Sequence, residues 1–221
     1  MAKTSSRKNH KGKGKPKRKP TAAKRGIPWW TVSVVALVLV AVGVFGYGIW
    51  SQPSAPEDAD IDGLVNYKAQ KAKWFDDRDH KSGPLKYATT PPAGGNHNAT
   101  WQTCTGIVYD KPIPNEHAVH SLEHGAIWIT YDPGLPQSQI EQLTKKVNGR
   151  DYTLMSPYKG QDSPISLQAW GYQLKLSKAD DDRIDEFIAT YRVEASQEPG
   201  ATCSGGVTAT GDKPVDQPDE H

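Results

Sequence analysis

No aspartate or glutamate occurs in the first 27 residues, which hold 11 of the chain's 27 lysines and arginines. The other 194 residues carry 16 basic against 25 acidic groups, so the formal charge of +2 is the sum of two oppositely charged compartments. That acidic remainder argues against a nucleic-acid partner, because affinity for phosphate grows with the number of cations that meet the backbone. Disorder along the whole chain is excluded by seven Trp, nine Tyr and several apolar runs. Cysteine is scarce, with Cys104 and Cys203 the only two. They form no Cys-x-x-Cys pair, the usual arrangement of a catalytic dithiol. Also missing are a Gly-x-Ser-x-Gly elbow and a His-Glu-x-x-His zinc-protease motif, which removes the hydrolase classes that those motifs announce.

Charge is absent altogether from the next stretch. From Trp29 to Trp50, 22 consecutive residues include none of Asp, Glu, Lys, Arg, Asn, Gln or His. At 1.5 Å per residue the run is about 33 Å long, the thickness of a bilayer core. Residues 28–50 therefore predict a transmembrane helix, with Trp29, Trp30, Tyr47 and Trp50 at the two interfaces. A cleaved signal peptide, the competing reading, has a shorter apolar core followed by a small-x-small site. Here Ser51-Gln52-Pro53-Ser54 follows, and no Cys stands close behind the span to mark a lipoprotein. The positive-inside rule places the basic tail 1–27 in the cytoplasm and Glu57, Asp58, Asp60 and Asp62 outside. That tail has almost nothing apolar to bury, so it is expected to be disordered. It would serve as a topology signal alone or touch anionic lipid at roughly 1 kcal/mol per basic residue. The expected location is the plasma membrane, with a linker at 51–60, an exported domain at 61–206 and a disordered tail at 207–221. In an oxidising compartment Cys104 and Cys203 read as one structural disulfide closing a loop of about 100 residues.

Inside 61–206 the hydrophobic spacing changes period repeatedly. Ile61, Leu64, Val65, Lys68, Ala72 and Phe75 form a helical stripe and predict a short amphipathic helix. Ala126 to Tyr131 reads as a buried strand, stopped by Asp132-Pro133-Gly134. Ser138 to Val147 predicts a helix capped by Ser138, with Ile140, Leu143 and Val147 facing inward. Tyr152 to Met155 and Ile165 to Leu176 predict two more strands, and Asp180 to Tyr191 a last helix. The order β-α-β-β-α matches the first five elements of a split-βαβ, ferredoxin-like sandwich, so the expected class is α+β. Gly83 to Pro114 contains five Pro, six Gly or Asn and no periodic run. It predicts a long wrapped loop, ordered because Cys104 lies in it.

Chemistry is concentrated in the histidines, of which His80, His97, His117, His120 and His124 fall within 45 residues. Pro114 to Gly125 reads as a helix, started by Asn115 and ended by Gly125. On it His117, His120 and His124 lie within about 60° of one another. Imidazoles on adjacent turns chelate transition metals, and Glu123 or Glu116 could orient a ring from behind. In an extended segment, residues 120 and 124 would stand about 13 Å apart, too far for one ion. The competing reading is a set of buried histidines bonded to backbone. His120 and Ser121 make no hydrolytic pair, since sequence neighbours point apart.

The residues also carry a resemblance. Tyr87 to Asn98 with its Pro91-Pro92-Ala93-Gly94-Gly95-Asn96-His97 core, Trp101 to Cys104, and Val119-His120-Ser121-Leu122-Glu123-His124-Gly125-Ala126 through Tyr131 resemble the domain-of-unknown-function family 3105. Leu154 to Tyr158, Ala169-Trp170-Gly171 and Asp185 to Ile188 continue the similarity, which covers roughly residues 62 to 204. The family comprises bacterial, often actinobacterial, proteins with one membrane helix and an exported domain. His80 matches a histidine that the family places before its Pro-Pro segment, although Lys81 and Ser82 depart from the usual apolar neighbour; His117 is not carried over. The resemblance implies an exported location and a histidine-centred site, and it supplies no activity.

Together the two lines of reasoning nominate His80, His97, His120 and His124 as metal ligands, with Met155 as a fifth and Glu123 behind them. A thioether beside imidazoles would favour copper over zinc. The leading expectation is a single-pass membrane protein whose exported domain binds a transition metal or small ligand as an envelope carrier. The alternative is a non-enzymatic assembly subunit that presents the domain to an envelope protein partner. An enzyme is the weakest reading, because no nucleophile or carboxylate pair accompanies the histidines.

Overall fold

In the computed structural model, which describes residue 33 and residues 60–216, the elements follow in chain order. They are β1 (Leu64–Asn66), a 3-10 turn (Lys73–Asp76), β2 (Thr105–Val108), α1 (Asn115–Glu123), β3 (Ile127–Tyr131), α2 (Gln137–Val147), β4 (Thr153–Pro157), β5 (Ile165–Ala169), β6 (Tyr172–Leu176) and α3 (Arg183–Tyr191). The expected transmembrane helix at 28–50, the basic tail 1–27 and the linker up to residue 59 lie outside the described residues, residue 33 apart. The chain divides into two units, Met1–Gln52 and Pro53–His221, and the site belongs to the second. Among the described residues no helix is long and apolar enough to cross a membrane.

The six strands form one mixed sheet in the order β1-β6-β5-β3-β4-β2. Every residue of β3 is buried, as a central strand covered on both faces requires. Its side chains alternate between two cores. Ile127, Ile129 and Tyr131 join Leu143 and Val147 of α2 and Ile184, Phe187, Ile188 and Tyr191 of α3. Trp128 joins Ala118, Val119 and Leu122 of α1. Helix α1 therefore packs on one face, and α2 and α3 pack on the other. The same alternation separates Leu154 from Met155 on β4: Leu154 faces α1, whereas Met155 is fully buried in the opposite core.

β3, α2 and β4 form a βαβ unit whose parallel strands are direct neighbours, Ile129 beside Met155. In the split arrangement suggested by the element order a strand would lie between these two. Here β5 pairs antiparallel with the other edge of β3, and β4 itself stands between β3 and β2. The run Ile165 to Leu176 is a hairpin, with Ala169 opposite Tyr172 and Trp170-Gly171 at the turn. Gly171 has a φ of 78°, and a Cβ there would run into the Phe75 ring. The expected helix from Ile61 to Phe75 does not form. Leu64–Asn66 pairs with the open edge of β6, which satisfies a row of sheet donors that a short isolated helix could not reach. Helix α2 begins at Gln137 behind Pro136, without a side-chain cap from Ser138.

The segment after Gly206, expected to trail free, is a strap as far as Asp216. Val207 N–H donates to Trp101 O and Thr103 N–H to Val207 O, while Gly211 N–H donates to Pro112 O. The Cys104–Cys203 disulfide staples the start of this strap to the start of β2 across 99 residues.

Candidate metal centre

Helix α1 is unusual because both of its faces are buried. Ala118, Val119 and Leu122 enter the core, while Glu116, His117, His120, Ser121 and Glu123 are also buried. Polar groups removed from water need partners, and the loop 95–104 supplies them with its carbonyls. Thr100 O accepts from His117 Nδ1 (2.6 Å), Asn98 O from His120 Nδ1 (2.7 Å) and Gln102 O from Ser121 Oγ (2.6 Å). Within the loop, Gly95 O accepts from His97 Nδ1 (2.9 Å). From the strap side, Thr202 O accepts from His124 Nδ1 (2.8 Å). A carbonyl oxygen has no proton to give, so each of these nitrogens is the N–H of its ring. The lone pair of a neutral ring is then on Nε2, the tautomer suited to metal ligation.

For His117 that lone pair is taken, since Val215 N–H of the strap donates to its Nε2 (2.9 Å). The helical spacing grouped His117 with His120 and His124, but its two hydrogen bonds make it a structural bolt. For His97 the lone pair is not taken. This ring is fully buried, and its Nε2 lies 2.8 Å from Glu123 Oε2 without hydrogen-bond geometry, so the nitrogen has no hydrogen-bond partner among the described residues. Two lone pairs this close repel, so a proton or a metal cation must lie between them.

The surroundings supply further donors. His80 is joined to His97 by a parallel β-bridge, with Lys81 N–H donating to His97 O (2.7 Å) and His97 N–H to Asp79 O (3.2 Å). The His80 ring centroid stands 5.1 Å from that of His97 and 5.0 Å from that of His120, and the His97 and His120 centroids are 4.7 Å apart. One donor atom each from His80, His97, His120 and Glu123 all lie within 4.8 Å of one another. Donors around a four-coordinate ion stand about 3.5 Å apart, so the wider pairs would draw in while His97 Nε2 and Glu123 Oε2, at 2.8 Å, would part slightly. Three of the four side chains are buried and His80 opens to solvent.

The electrostatics keep His120 neutral. Burial in the polar interior pushes His120 down to about 3, helped by the neighbouring His97 and opposed by the Asn98 carbonyl. Burial likewise lowers His124, against the Thr202 carbonyl and Glu198, and lowers His117. At neutral pH His120 is a neutral imidazole with its lone pair on Nε2.

The structure thus brings together three of the four nominated histidines and moves Glu123 from behind them into the donor set. His124 sits one step outward, its centroid 4.6 Å from that of His120, in a second set with His120 and Glu198. Met155 is not part of the site, for its side chain lies across the sheet. Glu198 was missed, because nothing in its surroundings in sequence marks it; the Gln197 and Glu198 N–H groups, donating to Glu123 O, tie it to the end of the helix. Trp101, whose ring lies 5.0 Å from His124 and 5.8 Å from His120, was visible only within the family-like string.

The family model described as a protein of unknown function (DUF3105) matches residues 80–205, which spans every donor in both sets. No curated protein and no solved structure matches the chain.

Proposed function

The chain belongs to this family of unknown function, and we propose that its domain holds one divalent transition-metal ion at His80, His97, His120 and Glu123, as a carrier or accessory factor in the cell envelope. The observation that carries this reading is the convergence of one donor atom each from His80, His97, His120 and Glu123 within 4.8 Å of one another, with the buried His97 Nε2 facing the Glu123 carboxylate at 2.8 Å. Four protein donors complete a tetrahedral shell, the pattern of a site that holds its ion rather than one that keeps a position open for a reacting water. The case for copper over zinc rested on the thioether of Met155. With Met155 in the far core, imidazoles and a carboxylate suit Zn(II) or Cu(II) and offer nothing soft for Cu(I).

The site stands on the extracytoplasmic side of the plasma membrane, anchored by residues 28–50. Support comes from the uncharged run between Trp29 and Trp50, the basic residues before it and the acidic ones after it. The Cys104–Cys203 disulfide is consistent with an oxidising compartment.

Metal analysis and Zn(II) titration of the purified full chain test the site. One ion per chain is expected, lost in His120→Ala and kept in His117→Asn. Equal, weak binding by wild type and His120→Ala would hand the histidines a structural role and favour an assembly subunit.

A further inference from the structure

The geometry points to a two-position path for the ion: an outer landing position formed by His124 and Glu198, and the inner four-donor position, with His120 serving each in turn. This rests on the inner site of the preceding reading and adds how that site is loaded.

Two donor sets share one residue. His120, His124 and Glu198 offer donor atoms within 4.8 Å of one another, as do His80, His97, His120 and Glu123. His120 has a single lone pair to give, because its Nδ1 is committed to Asn98 O. One lone pair binds one ion, so the two sets are alternatives and not a dinuclear centre. His124 is aimed outward in the same way: its Nδ1 is held by Thr202 O, and its Nε2 stands 3.5 Å from Glu198 Oε2.

The two positions differ in exposure and in donor count. The Glu198 side chain is 47% exposed, against 3% for Glu123 and 0% for His97. A carboxylate in solvent attracts and dehydrates a cation in steps, whereas the inner carboxylate is already surrounded by imidazoles. Three protein donors leave the outer shell open and exchangeable, and four close the inner one. Handover needs only that His120 keep its bond while His124 and Glu198 are exchanged for His80, His97 and Glu123. The backbone holds the two carboxylates in a constant relation, since Gln197 N–H and Glu198 N–H both donate to Glu123 O (2.9 and 3.3 Å).

Two tryptophans flank the path at different points. The Trp101 ring lies beside His120 and His124, whereas the Trp170 ring meets His97 edge-on at 5.9 Å. Cu(II), which quenches indole fluorescence, is the probe. Rapid mixing of the full chain with aqueous Cu(II) is expected to give a fast phase followed by a slower one, with Trp101→Phe lowering the amplitude of the fast phase more than that of the slow phase and Trp170→Phe doing the reverse. Glu198→Gln should slow loading and release together by about tenfold, the effect of a barrier raised by about 1.4 kcal/mol. Its final affinity and its stoichiometry of one ion should be unchanged, because a lost way-station alters barriers and not end states. Glu198→Asp, which keeps the carboxylate, should restore most of the rate.

Loading of Glu198→Gln at the wild-type rate, or two ions per chain at saturation, would overturn the path while leaving the inner site standing. A wild-type chain that binds no Cu(II) at equilibrium would overturn both.

Discussion

His120 and His117 stand three residues apart on α1 with the same kind of carbonyl partner on Nδ1, and they end in different trades. The difference is one strap amide, which occupies Nε2 of His117 and leaves that of His120 open. Burial has a measurable cost at His120. Its folded value is about 3 and its unfolded value 6.5, so between those limits the unfolded chain binds more protons. The metal-free chain is therefore destabilised as pH falls from 6.5 towards 3, by up to about 1.4 kcal/mol per pH unit for this one group. His117 and His124, also lowered by burial, add in the same direction. Denaturant unfolding of the chelator-treated full chain at pH 5 and pH 7 is expected to show the drop, and His120→Asn to reduce it. An equal drop in His120→Asn would assign the effect elsewhere.

At the scale of elements, α1 would pass for a surface helix by composition, yet its polar face is roofed by the 95–104 loop and bolted by the strap. Gly206 makes the strap possible. A Cβ there would stand 2.4 Å from Trp101 O and 2.5 Å from the indole ring, so only glycine lets the chain run so close beneath Trp101. The disulfide holds the start of this strap, one residue beyond the Thr202 carbonyl that orients His124. Cys203→Ala, with Cys104→Ala to avoid a free thiol, is expected to lower stability by up to about 4.7 kcal/mol in the chain-entropy account of a loop of this length. It should also weaken metal loading through the freed Thr202. An unchanged unfolding midpoint would show that the hydrogen bonds of the strap suffice alone.

For the whole molecule, the proposed topology requires that an exported-side reporter fused after His221 be active and a cytoplasmic-side reporter be silent; the reverse result would remove the envelope from the functional reading. That topology is read from local composition alone, on residues outside those described. Local periods and stops also announced β3 and α2, within a dozen residues each, and the helix under His120, whose spacing put imidazoles on one face. Other features came from distant parts of the chain. Leu64–Asn66 became a strand because β6 had an edge to fill, and Ile165 to Leu176 folded back at Gly171 because Phe75 packs there. Met155 fell on the far side of the sheet because one step along a strand reverses the face. Which histidine keeps a free lone pair depends on carbonyls and amides as many as 98 residues away. Local sequence could therefore nominate the imidazoles, but only tertiary closure, stapled at Cys104 and Cys203, determined that His80, His97, His120 and Glu123 share a centre.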